Sequence, residues 1–163
     1  MAEGYPVGPP WPSRGQGSTV DLYSASVIPL PQARCVKELV IRTENRVGLL
    51  GEVAQLLSDK GINILAVHLE TDPELAEIHL LTDAQLYAKD ALTAAELPVT
   101  ERQVVAVELP NRPGFLRKIA DALARQGVDI HYLYATAAEG TARSLVILSS
   151  SNNGKAVLML RGR

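Results

Sequence analysis

The chain has 163 residues, of which 47% are hydrophobic and 21% charged, and its formal net charge is −2. This is an ordinary composition for a globular protein, and a nearly neutral chain without a basic run is not expected to bind nucleic acid. The sequence has no apolar stretch long enough to span a bilayer and no secretory signal, so a cytoplasmic protein without a membrane partner is expected. The single cysteine, Cys35, excludes an intrachain disulfide and a multi-cysteine zinc site.

The beginning of the chain differs from the rest. Up to about residue 33 it is rich in proline and glycine and shows neither a helical nor an alternating apolar pattern. Such a segment has too little apolar side-chain surface to form a packed core. Residues 1–36, which include Cys35, are therefore predicted to be a flexible leader.

A strand and a helix are predicted next. Leu39 and Ile41 alternate with polar residues in 37–43, which indicates a strand. A broad apolar stripe at helical spacing then predicts a helix, formed by Leu49, Leu50, Val53, Leu56 and Leu57. Gly61 is expected to end this helix in the left-handed conformation.

Residues 62–70 predict a second strand that is apolar on both faces. A strand buried on both faces needs cover on each side, so helices are expected on one side and a second sheet or another subunit on the other. Asp72-Pro73 marks a turn to a third strand at 76–81. Asp83 is the expected N-cap of a second helix.

The long extended run at 99–109 exceeds a typical strand. It can end one unit and begin the next, because the motif before the first helix recurs at a fixed offset of 66 residues. Asn45 corresponds to Asn111, and Gly48 to Gly114. A fixed offset over this length indicates two copies of one unit in tandem.

Each unit is predicted to be a βαββαβ, ferredoxin-like arrangement, which gives an α+β fold of antiparallel sheets with helices on one face. The first unit spans 37–103 and the second 104–163. The partner of the last strand of the first unit would start at residue 164. The second unit therefore lacks its last strand, and the sheet must keep an open edge there or borrow a strand.

The motif Asn111-Arg112-Pro113-Gly114 before a helix, with Gly127-Val128-Asp129-Ile130 after it, resembles the ACT domain, a family of small amino-acid-binding regulatory modules. The resemblance covers residue 37 to about residue 160 and is strongest to stand-alone tandem ACT proteins. It implies the fold and the class of ligand, a small-molecule amino acid. The duplicated turn further suggests a homodimer whose ligand biases a regulated enzyme partner, and no cofactor is predicted.

The two turns offer a binding surface on physical grounds alone. A helix N-terminus presents unpaired N–H groups and partial positive charge, which suit a carboxylate or phosphate. Gly48 and Gly114 leave the backbone open to approach, and Asn45 and Asn111 add carboxamides that donate and accept. Turn geometry by itself also favours these residue types, so a purely structural role remains an alternative.

In the resembled family the asparagine that opens the second strand also contacts the ligand, and here Asn63 and Asp129 take that place. The candidate ligand-binding residues are Asn45, Val47, Gly48, Leu49, Leu50, Asn63, Asn111, Pro113, Gly114, Phe115, Leu116 and Asp129. Arg46 and Arg112 are additional candidates for steering an anion.

Three alternatives complete the sequence-based predictions. His68, Glu70 and His79 would suit zinc or nickel if the second and third strands pair, although surface histidines seldom bind metal. No nucleophile stands with a base in a catalytic pattern, so no enzyme and no catalytic or metal residue is predicted. The doubly apolar second strand supports another function, a ligand-free module that pairs with proteins through its sheets.

Overall fold

The computed structural model of the protein describes residues 33–136 and 141–161, so most of the predicted leader lies outside the described residues. Within this part of the chain the elements are β1 (Arg34–Glu44), α1 (Leu49–Asp59), β2 (Ile64–Thr71), β3 (Leu75–Thr82), α2 (Gln85–Ala94), β4 (Val99–Pro110), α3 (Phe115–Ala124), β5 (Ile130–Thr136), β6 (Arg143–Ser150) and α4 (Asn153–Leu160). The predicted α+β class with two ferredoxin-like units is confirmed.

All six strands form one antiparallel sheet in the order β2-β3-β1-β4-β6-β5. β1 and β4 lie at its centre, where Arg34 pairs with Ala106 and Val40 with Thr100. Under the offset of 66, Arg34 corresponds to Thr100 and Ala106 corresponds to Val40, so the two pairs are equivalent. Unit one (β1 to α2) and unit two (β4 to α4) are therefore related by a pseudo-two-fold axis between β1 and β4.

The central pair explains how unit two completes its sheet. β4 pairs with β1 along residues 99–106 and with β6 along residues 105–110. β4 thus serves both units, as predicted, and β1 lies beside β4 at the position of the last strand of a ferredoxin-like unit two. β1 starts three residues earlier than predicted, so Cys35 is an exposed strand residue rather than part of a leader.

The first helix of each unit begins and ends at glycines in the left-handed conformation. Gly48 and Gly114, with φ of 91° and 90°, are the N-caps of α1 and α3. After α1, Gly61 has φ of 69°, its N–H donates to Ser58 O, and Ile62 N–H donates to Leu57 O. This pair of bonds satisfies the last helical carbonyls. The longest helix described, α1, has 11 residues, and no helix in the described ranges is long and apolar enough to cross a membrane.

The start of α2 differs from the prediction. Its N-cap is Ala84, without a side-chain hydrogen bond, and the Asp83 carboxylate instead accepts a bond from the backbone N–H of Asn63 at 3.0 Å. Ser151 makes the equivalent bond to the N–H of Asp129, also at 3.0 Å. Both side chains thus fix the start of a strand rather than the start of a helix.

The four helices lie on one face of the sheet, the helix face, and cover two separate cores. Leu39, Ile41, Ile78 and Leu80 of unit one are 0% exposed beneath α1 and α2. In unit two the corresponding core lies under α3 and α4 and includes Val105, Val107, Val146 and Leu148.

The opposite face, here the inner face, is enclosed because the sheet curls. β2 and β5 are the two ends of the strand order and would lie about 24 Å apart in a flat sheet, yet the His68 and Tyr134 rings stack with centroids 5.6 Å apart. The inner face between β2 and β5 holds an apolar cluster of Ala66, Leu81, Val104, Ala106 and Ile147. The inner side of β2 is therefore covered by the chain's own sheet, whereas a second sheet or subunit was expected there.

Candidate functional site

The strand-to-helix turns, turn one (residues 45–48) and turn two (111–114), have the same internal structure. The Asn45 backbone N–H and side-chain Nδ2 donate to Glu74 O at 2.8 Å and Asp72 O at 2.7 Å. Asn111 repeats this with Ala142 O at 2.9 Å and Thr141 O at 3.3 Å. The carboxamide donors therefore hold each turn against the neighbouring hairpin connection, which is the structural role considered from sequence.

The helix N-termini behind these turns are open. Neither Gly48 nor Gly114 provides a side-chain cap, and no atom lies within 4 Å of the position that a Cβ would occupy at either residue. The side chain of Val47 is fully exposed beside the first of them. The N–H groups of Leu49 and Phe115 donate to Arg46 O and Arg112 O within the turns, so the N–H groups of the second and third helical residues are the ones left for an anion.

The predicted side chains at these helix starts have different environments. Leu49 is 3% exposed and belongs to the core of unit one, so it can contribute only its backbone to a site. Leu50 and Leu116 are 36% and 52% exposed. Phe115 is half-buried, and Lys118 Nζ lies 4.7 Å from the centre of its ring.

Asn63 and Asp129 lie far from the turn of their own unit. Each follows the helix that starts at that turn, and a helix of 11 residues spans about 16 Å. The strand directions instead put Asp129 at the same end of the sheet as turn one, and Asn63 at the same end as turn two. The predicted site residues thus form two groups at opposite ends of the sheet. One group combines turn one with Asp129, and the other combines turn two with Asn63.

The two turns differ in charge. In unit one, Arg46 forms two hydrogen bonds to the Glu52 carboxylate, and this pairing lowers the pKa of the Glu52 carboxyl. The offset of 66 places Lys118 at the position of Glu52, and residues 111–118 contain Arg112, Arg117 and Lys118 but no acidic residue. The formal charge is therefore zero for residues 45–52 (one arginine, one glutamate) and +3 for residues 111–118 (two arginines, one lysine).

Lys118 is a candidate residue that the sequence prediction missed. The prediction stopped at Leu116, at the end of the duplicated motif. The sequence does contain a signal for this residue, because the position of Glu52 in unit one is taken by Lys118 in unit two. A reversal of charge between matched positions indicates that the two turns bind different groups.

The metal hypothesis depended on the pairing of β2 with β3, and His68 does pair with His79. Their ring centres are 5.5 Å apart. Among the described residues, however, no group of three or more histidine, cysteine or acidic side chains is arranged to hold a metal ion. In unit two the matching pair is Tyr134 and Ile147. The offset of 66 gives Leu145 in place of Ile147, and the difference arises because the hairpin between β5 and β6 is two residues longer than the hairpin between β2 and β3.

Comparison with known proteins gives a family match to part of the chain and a shared fold. The ACT domain family profile matches residues 37–90. The structure resembles that of protein BT0572 from Bacteroides thetaiotaomicron, with a TM-score of 0.72, 29% identity and coverage of 78% of this chain and 87% of that chain. No curated protein sequence matches the chain.

Two regulatory subunits of aspartate kinase share the fold. The ligand-free subunit from Thermus thermophilus has a TM-score of 0.55 at 17% identity, covering 78% of this chain and 93% of that chain. The subunit from Thermus flavus has a TM-score of 0.50 at 19% identity, with coverage of 78% and 92%. Their likeness to this chain shows the fold alone. The ACT domain match therefore covers most of unit one, and unit two repeats the fold of unit one.

Proposed function

We propose that this protein is a non-catalytic regulatory protein that binds an amino acid, and that turn two holds the ligand's carboxylate at the N-terminus of α3. The ACT domain match and the fold shared with two regulatory subunits support the regulatory role. The observation that carries the proposal is the basic first turn of α3.

Basic side chains at a helix N-terminus oppose the helix dipole and destabilise the helix. Arg112 and Lys118 nevertheless flank the open N-terminus at Gly114, and no acidic residue lies between them. Natural sequences break such local rules mainly where function requires it. A bound carboxylate removes the conflict, because it accepts hydrogen bonds from the free N–H groups and balances the cations.

The other end of an amino acid needs hydrogen-bond acceptors for its ammonium group. Asn63 immediately precedes β2 at the same end of the sheet as turn two, and its carboxamide oxygen can accept hydrogen bonds. Its exposed side chain supports an assignment to the ammonium group. Asp129, which lies at the other end, is assigned to the weaker, electrically neutral site at turn one.

The ligand is proposed to act through assembly. Ligand binding would bias a homodimer or a complex with a regulated enzyme, because a ligand stabilises whichever state binds it better. The names of the two aspartate kinase regulatory subunits support an enzyme partner, and the exposed turns support access from outside the chain.

A thermal-shift screen of the twenty amino acids, followed by one pair of variants, tests the proposal. A ligand at a hundred times its dissociation constant adds about 2.7 kcal/mol to the free energy of unfolding, which raises Tm by about 5–10 °C in a chain of this size. Lys118→Glu copies the pairing of unit one, because the introduced carboxylate can bind Arg112. It should abolish the shift while leaving the unliganded Tm unchanged or slightly higher.

Lys118→Gln is the matched control, since it removes one charge without adding a competing carboxylate. It should reduce the ligand-induced shift only partly. A screen in which no amino acid changes Tm, or a Lys118→Glu protein that keeps the full shift, would contradict binding at turn two.

One observation favours a second candidate function, a ligand-free module that pairs with other proteins. Val67 and Leu69 on β2 are 43% and 40% exposed, on the helix face at one edge of the sheet. This function predicts a dimer or complex that is insensitive to amino acids. Sedimentation of a monomer at all concentrations, unchanged by Leu69→Ser, would exclude self-pairing through this edge.

A further inference from the structure

The inner face contains a buried charge at its centre. Glu38 lies on the central strand β1 and is 0% exposed, although the helices are all on the other side of the sheet. Taking a carboxylate out of water is costly unless donors surround it. The groups that reach Glu38 therefore indicate what the fold is built to hold there.

Both tyrosines of the edge strand β5 reach this carboxylate. The Tyr134 hydroxyl donates to Glu38 Oε1 at 2.6 Å, and the Tyr132 hydroxyl donates to Glu38 Oε2. β5 is three strand positions from β1, which is about 14 Å in a flat sheet. The two hydroxyls therefore span the inner face and join the edge strand of unit two to the first strand of unit one.

The remaining groups around Glu38 come from the other strands. His79 on β3 lies between two carboxylates, with Nδ1 2.8 Å from Glu38 and Nε2 3.0 Å from Glu77. Arg102 on β4 stacks on the Tyr132 ring at 5.5 Å. His68 on β2 stacks on Tyr134. Every strand that packs around this carboxylate except β6 thus contributes a polar or charged side chain.

These contacts favour the ionised carboxylate and the neutral phenols. Burial by itself raises the pKa of Glu38, but the hydrogen bonds from His79, Tyr132 and Tyr134 outweigh it and lower the pKa below 4.5. Burial and the bond to Glu38 raise the pKa of Tyr132 to about 12. The cluster is therefore intact near neutral pH, where the carboxylate accepts and the hydroxyls donate.

We propose that Glu38 is a latch between the units: it holds β5 over the inner face, and its release lets β5, with its Ile130 and Leu133, swing away from β1 while the helix-face core of unit one stays folded. On its own sheet β5 is bonded only to β6 among the described strands. The latch has no second copy, because the offset of 66 places Val104 at the position of Glu38 in the repeat.

Hydrogen exchange of the full chain tests the latch. In the double variant Tyr132→Phe, Tyr134→Phe the rings and the stack on His68 remain and only the hydroxyls are lost. Exchange protection of the β5 amides should fall about 10- to 100-fold, the equivalent of losing charge-assisted hydrogen bonds. β3 should stay more protected than β5 in every variant, and its exchange should depend more steeply on urea, because β3 exchanges through unfolding of the whole fold whereas β5 opens locally.

Glu38→Gln should lower the exchange protection of the β5 amides by a similar factor. It should also remove the dependence of this protection on pH. In the original protein, β5 protection corrected for intrinsic exchange should fall as pH drops below the carboxyl range, whereas in Glu38→Gln it should already be low and flat. Glu101→Gln is the matched control, because Glu101 lies on the neighbouring central strand, on the helix face, and bonds to Lys37 and Lys89.

Two results would overturn the latch. One is β5 exchange with the same protection and the same urea dependence as β3 in the original protein, which would mean that β5 opens only when the whole fold unfolds. The other is unchanged β5 protection in both the Tyr and Glu38 variants, which would show that β6 alone holds the strand.

Discussion

The two faces of the sheet are built in different ways. On the helix face each unit has its own core, and matched positions hold similar residues, such as Leu80 in unit one and Leu148 in unit two. On the inner face the two units share one cluster, and matched positions hold different residues, such as Glu38 and Val104. Matched positions therefore keep similar residues where the two units have separate cores, and they hold different residues where the units contact each other.

The difference has a physical cause. Residues that meet across a two-fold axis must complement each other, and two identical carboxylates in one buried space would repel. Unit one supplies the acceptor, Glu38, and unit two supplies the donors, Tyr132 and Tyr134. The helix-face cores do not meet in this way, so both can keep the same apolar pattern.

The largest expected effect tests the independence of the two cores. Leu80 and Leu148 are both 0% exposed, and truncating either to alanine should cost about 2–5 kcal/mol. If the cores are separate, the costs in the double variant should add to within about 0.5 kcal/mol in urea unfolding. Leu158→Ala, at a position 72% exposed, should change stability by less than about 0.5 kcal/mol. Strong non-additivity would mean that the cores are coupled.

An intermediate effect concerns acid stability and the inner face. Glu38→Gln should cost about 1.5–3 kcal/mol near neutral pH, the value of hydrogen bonds to a charged group. Because the pKa of Glu38 is lower in the folded state than in the unfolded chain, its contribution is complete above the unfolded value of about 4.3 and is lost as pH falls through the folded value. Urea unfolding from pH 7 to pH 3 should therefore show a smaller loss of stability in Glu38→Gln than in the original protein. Parallel pH curves would contradict this assignment.

The smallest expected effect compares the two turns. Gly48→Ala and Gly114→Ala place a methyl group in open space, so the cost comes only from the left-handed backbone and should be about 1–2 kcal/mol in each. Gly51→Ala, inside α1, should instead stabilise by about 0.5–1 kcal/mol. Clearly unequal costs at Gly48 and Gly114, measured by thermal unfolding, would show that the turns are not structurally equivalent.

The helices, the strands and the duplication could be predicted from sequence because their signals are local. The apolar stripe from Leu49 to Leu57 predicts the face of α1, and Gly61 and Gly127 predict where the first helices end. The shared strand was also predictable, since a run of this length exceeds one typical strand.

The curl of the sheet could not be predicted, because it depends on contacts between distant residues. Glu38 and Tyr134 are 96 residues apart in the chain. The spacing of Tyr132 and Tyr134 indicates only that they share one face of a strand, and nothing local shows that the Glu38 carboxylate, three strands away, accepts from both hydroxyls. For the same reason the cross-unit placement of Asn63 and Asp129 emerged only from the strand order.

For the candidate site, the sequence identifies the turns and the glycines, whereas the surroundings of some side chains are visible only in the structure. Leu49 was included because it follows the motif, yet the same helical spacing that identifies α1 also directs this residue into the core. The Nδ2 groups of Asn45 and Asn111 donate to the neighbouring hairpin connections, a contact that the local sequence does not show.

The central pairing of β1 with β4 also limits how such a chain can arise or be redesigned. In the observed register Lys37 lies opposite Gln103, which is its own counterpart under the offset of 66. A protein made from two copies of unit one would therefore pair Lys37 with Lys37, and directly opposed like charges destabilise a sheet. Joining the units in one chain lets the two sides of the axis differ, and we expect unit one alone to associate poorly with itself until Lys37 is neutralised.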